Sequence, residues 1–245
     1  MPTRLVHLAF DANDVGGQAR FWAAALGWEV VHEAEDEAAV APAGFEYLGP
    51  GAVPLIFVPV PERKTVKDRV HLDLASSSAE HQAELVARLT DLGGKPIDIG
   101  QVDVPWVVMA DPEGNELCVL EPREEYRDTG PVAAICADCR DPAALARFWS
   151  QSAGWTVTYQ EDGFAGLRSP AGTGPFLEFL RNPDAKQAKN RLHPDLAPEM
   201  SDDRDAELAR LLAAGATRVD VGQGEAAWAV LADPEGNEFC LLTPR

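Results

Sequence analysis

The residues Asp111–Pro122 read DPEGNELCVLEP, and the residues Asp233–Pro244 read DPEGNEFCLLTP. Nine of the twelve positions are identical, at an offset of 122 residues. This offset is longer than the roughly 20–50 residues of solenoid repeats and suits a small domain. The repeat therefore predicts two copies of one fold, so that each candidate site occurs twice.

Two further landmarks support the duplication. The sequence RFW at Arg20–Trp22 returns at Arg147–Trp149, and RVHLD at Arg69–Asp73 returns as RLHPD at Arg191–Asp195. The small change in offset between landmarks indicates short insertions in loops. The segment 123–130 is polar and is typical of a linker. We therefore expect a first domain at 1–122, a linker at 123–130 and a second domain at 131–245.

The composition argues against several classes of protein. The chain has 245 residues, of which 46% are hydrophobic, and this is enough for one or two cores. A formal net charge of −19 disfavours nucleic acid and anionic membrane surfaces as partners. No apolar run approaches the roughly 20 residues of a membrane span, and the first residues lack the apolar part of a signal peptide. Four cysteines are too few for a disulfide-stapled fold, so we expect a cytoplasmic protein.

Hydrophobic periodicity predicts the same order of elements in each half-copy, namely a strand, a helix and three strands. Gly27 is expected to end the first helix, and Asp141 to begin the corresponding helix of the second copy. The chain then contains four such modules, which is an α+β fold. In the first module the predicted elements are a strand at Leu5–Phe10, a helix at Gln18–Leu26, and strands near Glu29–His32, Phe45–Leu48 and Pro54–Val58.

These residues resemble the vicinal oxygen chelate superfamily, in its glyoxalase-like and bleomycin-resistance-like branch. The His-x-Asp-Leu strand, the Asp-Pro-Glu-Gly-Asn-Glu loop and the four βαβββ modules carry the resemblance, which covers nearly the whole chain outside the linker. It implies two tandem glyoxalase-like domains whose strands curl into cups that hold a small organic molecule. The modules of a cup belong either to one copy or to both copies. Because two copies supply the pairing that single-copy relatives achieve as dimers, we expect a monomer with an internal pseudo-dimer.

The resemblance also implies where a metal ion would bind. Metal-binding relatives take one ligand from the first strand and one from the last strand of each module, usually His, Glu or Gln. The matching positions are His7, Phe57, His71 and Cys118 in the first copy, and Ala134, Glu178, His193 and Cys240 in the second. Neither set is complete, because Phe57 and Ala134 cannot ligate a metal. Thiols also stand where relatives carry the last-strand carboxylates.

The chemistry of these side chains leaves two interpretations open. If a metal binds, Glu178, His193 or His71, and Cys240 or Cys118 are the favoured ligands, and His with Cys favours zinc or a similar divalent ion. Without a metal, the two thiols are small apolar residues packed on strands.

The repeated His-x-Asp strand and two tryptophans are further candidates. Alternation places His71 with Asp73, and His193 with Asp195, on one face of a strand. Each pair is either a general base held by a carboxylate or part of an Arg-His-Asp network that braces the strand. Trp106 and Trp228, at matching places, either stack against a planar ligand or belong to the core.

Two functions from different classes follow. The incomplete ligand sets favour a protein that binds or sequesters a small organic molecule, without any required cofactor, in cups lined by His7, Phe57, Trp106, Trp228 and Cys118. The alternative is a metal-dependent lyase, isomerase or dioxygenase that uses one cup. Its catalytic residues would be His71, Asp73, His193 and Asp195, and one divalent metal, zinc or similar, would bind Glu178, His193 and Cys240. A structural dimerisation module is a third interpretation.

Overall fold

The computed structural model of the protein describes residues 3–46 and 51–245. The helices in this part of the chain are α1 (Val15–Leu26), α2 (Ala79–Asp91), α3 (Pro142–Ala153) and α4 (Arg204–Ala213). The strands of the first copy are β1 (Arg4–Ala12), β2 (Glu29–Glu33), β3 (Ala38–Ala41), β4 (Leu55–Pro59), β5 (Val70–Leu74), β6 (Lys95–Pro96), β7 (Val107–Ala110) and β8 (Glu116–Val119). Those of the second copy are β9 (Val132–Cys139), β10 (Thr156–Glu161), β11 (Phe164–Arg168), β12 (Phe176–Arg181), β13 (Leu192–Ala197), β14 (Thr217–Arg218), β15 (Ala229–Ala232) and β16 (Glu238–Leu241). The predicted α+β fold of four βαβββ modules is confirmed.

The modules pair between the copies and not within them. One sheet has the strand order β14-β15-β16-β13-β1-β4-β3-β2, and the other has the order β10-β11-β12-β9-β5-β8-β7-β6. At the centre of each sheet the first strands of two modules run antiparallel, β1 beside β13 and β5 beside β9. The first sheet therefore joins modules one and four, and the second joins modules two and three.

Each sheet has one face in a shared core and one face turned away from it. The shared core contains residues of both sheets together with Trp22 of α1 and Trp149 of α3. The other faces carry smaller apolar clusters, and we call them the first cup and the second cup. The first-cup cluster contains Val6, Ala197, Val230, Cys240 and Leu242. The second-cup cluster contains Val108, Cys118, Leu120, Tyr126, Ala133, Ala134, Cys136 and Phe176.

The helices begin and end where local chemistry requires. The Asp14 carboxylate accepts a hydrogen bond from the Gly17 amide at the start of α1, and Asp141 does the same at α3. Gly27 and Gly154 follow these helices in the left-handed conformation that glycine adopts without strain. The longest helix has 13 residues. None of the helices in residues 3–46 and 51–245 is long and apolar enough to cross a membrane.

The repeated loop that identified the duplication ties the two modules of one copy together. Asp111 accepts hydrogen bonds from the backbone amides of Glu113 and Asn115, and from the Trp22 indole of α1 at 3.4 Å. The Glu113 carboxylate accepts hydrogen bonds from the backbone amides of residues 13 and 14, just before α1. Asp233 and Glu235 make the same contacts to the start of α3 and to Trp149. The loop thus joins modules whose strands belong to different sheets.

The predicted order of elements along each module is confirmed, but one predicted strand is displaced. The chain forms β3 at Ala38–Ala41, where four small residues are completely or nearly buried. The predicted strand Phe45–Leu48 is not seen at residues 45 and 46, and residues 47 and 48 lie outside the described part of the chain. Alanine is uncommon in strands, so the sequence AAVA does not by itself predict one. Packing within the sheet nevertheless stabilises the strand here.

Asp68 is a buried residue with a carboxyl group, and the equivalent residue of the other copy is Asn190, which has an amide. At the equivalent position, the Asn190 side-chain amide donates to Asn237 Oδ1 at 3.2 Å. Asp68 Oδ2 and Asn115 Oδ1 are both buried and both lack a hydrogen-bond partner. Lys64 Nζ lies 4.0 Å from Asp68 but 2.8 Å from Glu116, so its charge is already matched. Burial raises the pKa of Asp68 to about 8, with Glu116 adding to the effect and Lys64 opposing it. A protonated Asp68 can act as a donor in the way that Asn190 does.

We predict that Asp68→Asn removes a pH-dependent loss of stability. Since the folded state holds this proton up to about pH 8 and the unfolded carboxyl releases it near 3.8, the natural protein loses stability as pH rises between these values. The variant should match it near pH 4 and exceed it near pH 9 by about 2–4 kcal/mol, measured by urea unfolding. The reverse change, Asn190→Asp, should introduce the same pH dependence. Parallel stability curves for natural protein and variant would contradict this account.

Candidate functional site

The first cup brings together four side chains with metal-binding and proton-transfer chemistry. In the antiparallel pairing of β1 with β13, His7 lies opposite Asp195 and Ala9 lies opposite His193. Cys240 of β16 pairs with Asp195 from the other side. Because side chains alternate along a strand, these residues project to the same face of the sheet. The site therefore combines residues from both ends of the chain.

These side chains are close and mostly shielded from solvent. His7 Nε2 lies 2.6 Å from Asp195 Oδ2, and the two side chains are 10% and 7% exposed. His193 Nε2 lies 3.5 Å from Asp195 Oδ1. The ligand atoms of His193, Asp195 and Cys240 all lie within 4.8 Å of one another. Two imidazoles thus flank one buried carboxylate, with a thiol beside it.

This donor set fits a divalent metal ion. Two imidazoles, one carboxylate and one thiol are the groups that zinc selects, and a catalytic site needs about three protein ligands. Asp195 Oδ1 is buried without a hydrogen-bond partner, which leaves an acceptor for a cation. Burial, followed by the Asp195 charge, raises the pKa of Cys240, so the thiol keeps its proton unless a cation displaces it.

The mouth of the first cup has an exposed aromatic ring. Trp228, just before β15, is 44% exposed. It lines a cavity of about 510 Å³ between β14, β15 and the start of α4, together with Arg218, Val230 and Leu208. Val230 also belongs to the first-cup cluster, whereas Leu208 belongs to the shared core. A large exposed ring beside an apolar cluster suits stacking against a planar organic molecule.

The second cup has a different set of polar residues. His71 Nε2 lies 3.4 Å from Asp73 Oδ1. The ligand atoms of His71, Asp73 and Cys118 lie within 4.8 Å of one another, as do those of Asp73, Cys136 and Glu178. Here Ala134 stands opposite Asp73, where the first cup has His7 opposite Asp195. Among the described residues, the second cup therefore has no counterpart of the His7–Asp195 hydrogen bond.

Glu178 of the second cup is held by groups of the protein itself. The Tyr126 hydroxyl donates to Glu178 Oε1 at 2.9 Å, and the Tyr159 hydroxyl donates to the same oxygen. Cys136 Sγ lies 3.8 Å from Oε2. Burial raises the pKa of Glu178 to about 7, although the two tyrosine hydrogen bonds act in the opposite direction. Burial also raises the pKa of Cys118 and of Cys136.

The second cup does not fit the metal site that the family resemblance implied. Both oxygens of its last-strand carboxylate are already engaged, and Ala134 offers no ligand. We derive no chemistry through a metal ion at this position.

Two of the predicted assignments are wrong in geometry. The set Glu178, His193 and Cys240 cannot form one metal site, because Glu178 belongs to the second sheet and the other two to the first. Phe57 lies in the shared core, with its ring 5.0 Å from that of Phe10. The residue that faces the cup is Ile56, which pairs with Ala9 as Glu178 pairs with Cys136. An error of one residue moves a side chain to the opposite face of a strand.

The remaining predicted residues lie where alternation places them. His7, His193, Asp195, Cys240 and Trp228 are associated with the first cup, and the second cup has His71, Asp73, Trp106, Cys118 and Glu178. In the described part of the chain, Arg69 donates to the backbone oxygens of residues 138 and 184, and Arg191 donates to the Glu62 backbone oxygen and the Glu113 carboxylate. Neither arginine joins the histidine and aspartate of its own strand in these hydrogen bonds.

Sequence reasoning missed Tyr126, Tyr159 and Cys136. Tyr126 was included in a polar linker, where a single aromatic ring is the one available signal. Cys136 lies two residues beyond Ala134 and so shares its face, whereas Cys139 projects to the other face. Both thiols are free.

Comparisons with known proteins agree with this architecture. The family model described as a glyoxalase-like domain matches residues 7–120 and 134–242. A proposed dioxygenase from Bacillus subtilis is similar in structure, with 15% identity, a TM-score of 0.65, and 99% of this chain and 86% of that chain covered. Glyoxalase I from Zea mays is also similar, with 12% identity, a TM-score of 0.64, and 98% and 92% covered. At these identities the likeness concerns the fold alone. Among curated proteins, none matches the sequence significantly.

Proposed function

Because the chain belongs to the glyoxalase-like domain family, we propose that it binds a small organic molecule in the first cup, beside a divalent metal ion such as zinc. His7, His193, Asp195 and Cys240 would hold the ion. The observation that carries this proposal is that His193, Asp195 and Cys240 bring their ligand atoms within 4.8 Å of one another. His7 Nε2 lies 2.6 Å from Asp195 Oδ2, and Asp195 Oδ1 is buried without a hydrogen-bond partner. Trp228 would stack against the organic molecule at the mouth of the cup.

The metal ion and the residues of the first cup would make different contributions to binding. When bound, such an ion polarises oxygen atoms of a ligand and lowers the pKa of bound water. The protein's own residues would orient the organic molecule. Its apolar part would lie against the first-cup cluster and the Trp228 ring, and its polar atoms would then face His7 and His193. The low exposure of this polar cluster strengthens its electrostatic interactions.

A second candidate function is catalysis of the glyoxalase type, as a lyase, isomerase or dioxygenase. It is favoured by the 2.6 Å contact between His7 and Asp195. An imidazole held by a carboxylate can take a proton from a ligand and return it near neutral pH. The same contact supports metal-free binding, since the two groups already satisfy each other.

We predict that zinc binding depends on the first cup and not on the second. Protein prepared without chelator and dialysed against zinc should retain about one equivalent per chain. Loss of an outer-shell partner alone lowers metal affinity about 10–100-fold, so His193→Ala and Cys240→Ser should lower it at least as much. The matched changes His71→Ala and Cys118→Ser, at equivalent positions of the second cup, should leave zinc content unchanged. Equal zinc content in all four variants would contradict a metal site in the first cup.

We predict that Trp228 contributes to binding of a planar molecule. With 2-naphthol as a neutral bicyclic probe, Trp228→Ala should raise the dissociation constant roughly threefold to tenfold, since ring stacking is worth about 0.5–1.5 kcal/mol. The dissociation constants are measured by isothermal titration calorimetry, because replacing a tryptophan also changes the fluorescence of the protein. Trp106→Ala is the matched control and should have no effect. Binding of the probe without any zinc retained would favour the metal-free alternative.

A further inference from the structure

The linker between the copies contains one buried aromatic residue. In the segment 123–130, Tyr126 is 6% exposed and Thr129 is 2% exposed, whereas Glu124, Glu125 and Arg127 are exposed. A polar linker whose only task is to span two domains gains little by ordering a tyrosine, since burial of a side chain costs conformational entropy. The contacts of Tyr126 therefore need a separate reason.

These contacts lie inside the second cup. The Tyr126 hydroxyl donates to Glu178 Oε1 at 2.9 Å. Its ring meets the Phe176 ring edge-on, with centroids 5.7 Å apart. The Arg123 guanidinium lies 5.7 Å from the centre of the Trp106 ring and 5.8 Å from that of Tyr126. The linker thus supplies an aromatic ring, a hydrogen-bond donor and a cation to the residues that line the cup.

The segment is anchored on both sides of Tyr126. The Thr129 hydroxyl donates to the Tyr126 carbonyl oxygen at 2.8 Å. The Asp128 carbonyl oxygen accepts from the Gly174 amide and from Arg168, each at 3.3 Å. Arg168 also lies over the Phe176 ring at 4.3 Å. The position of the linker is therefore set by contacts that belong to the second sheet.

The two cups differ in the exposure of their tryptophans and in the polar groups of their linings. These differences are expected if the linker occupies the second cup. In the first cup, Trp228 is 44% exposed, and Ile56 stands at the position that Glu178 occupies in the second cup. In the second cup, the equivalent Trp106 is only part-exposed, and its indole donates to Gln101 at 2.8 Å. Glu178 already receives two hydroxyl groups. A buried carboxylate satisfied in this way has no need of a metal ion.

We propose that the linker is an internal ligand of the second cup, with Tyr126 in the place of a bound molecule, so that only the first of the two cups takes an external ligand. The occupation of the second cup stands on these contacts alone. The restriction of binding to the first cup rests on the proposed function.

Thiol reactivity tests the occupied cup without any ligand. In chelator at pH 8.5, N-ethylmaleimide modification of each cysteine is followed by peptide mass spectrometry. In Tyr126→Ala, Cys118 and Cys136 should react at least about tenfold faster than in natural protein, because loss of the buried ring raises the population of open states. Cys240 should keep its rate. Tyr126→Phe, which keeps the ring, should leave all three rates within about twofold.

A smaller change, Tyr126→Leu, serves in case Tyr126→Ala fails to fold. In Tyr126→Leu, Cys118 and Cys136 should react faster than in natural protein, and Cys240 should keep its rate. Unchanged protection of Cys118 and Cys136 in a folded variant that lacks the ring, or an equal rise in the rate of Cys240, would overturn the proposal. Failure of the zinc and 2-naphthol experiments would instead overturn the proposed function and leave the thiol result standing.

Discussion

The antiparallel pairing of first strands from different copies is the constraint on which the sites depend. It sets β1 beside β13 and β5 beside β9 at the centre of two eight-stranded sheets. This register places His7 against Asp195, although 188 residues separate them in the chain. The same pairing separates Glu178 from His193. Each cup is therefore a composite of both copies, and its chemistry can be read only after the pairing is known.

The fold could be predicted because its signals are local and occur twice. The Asp-Pro-Glu-Gly-Asn loop, the capping residues Asp14 and Asp141, and the glycines after α1 and α3 act on their own neighbourhoods, so the sequence shows them directly. The repeated loop also has a physical role that explains its near-identity. In both copies it presents an aspartate to a tryptophan indole and a glutamate to the backbone amides before a helix.

The sites could be predicted only in part. The family resemblance implied that His71, His193, Cys118 and Cys240 lie at the cups, where the structure has them. At Phe57 it placed the last strand of module one a single residue out of register, so the core side chain was taken for the cup side chain. The partnership of the modules was open because both arrangements bury similar apolar faces. Tyr126 and Tyr159 reach Glu178 from segments whose sequences carry no signal of that contact.

The interleaving of the copies has a consequence for how such a chain can diversify. In a duplicated protein with separate domains, changes that accumulate in one copy alter one binding site and leave the other unchanged. Here each site borrows half of its lining from each copy, and the two sites share no lining residue. Each copy supplies one module to each cup, so changes spread over one copy alter both cups. Differences between the two cups therefore fall on both repeats, as Ile56 against Glu178 and His7 against Ala134 do, and are not confined to one of them.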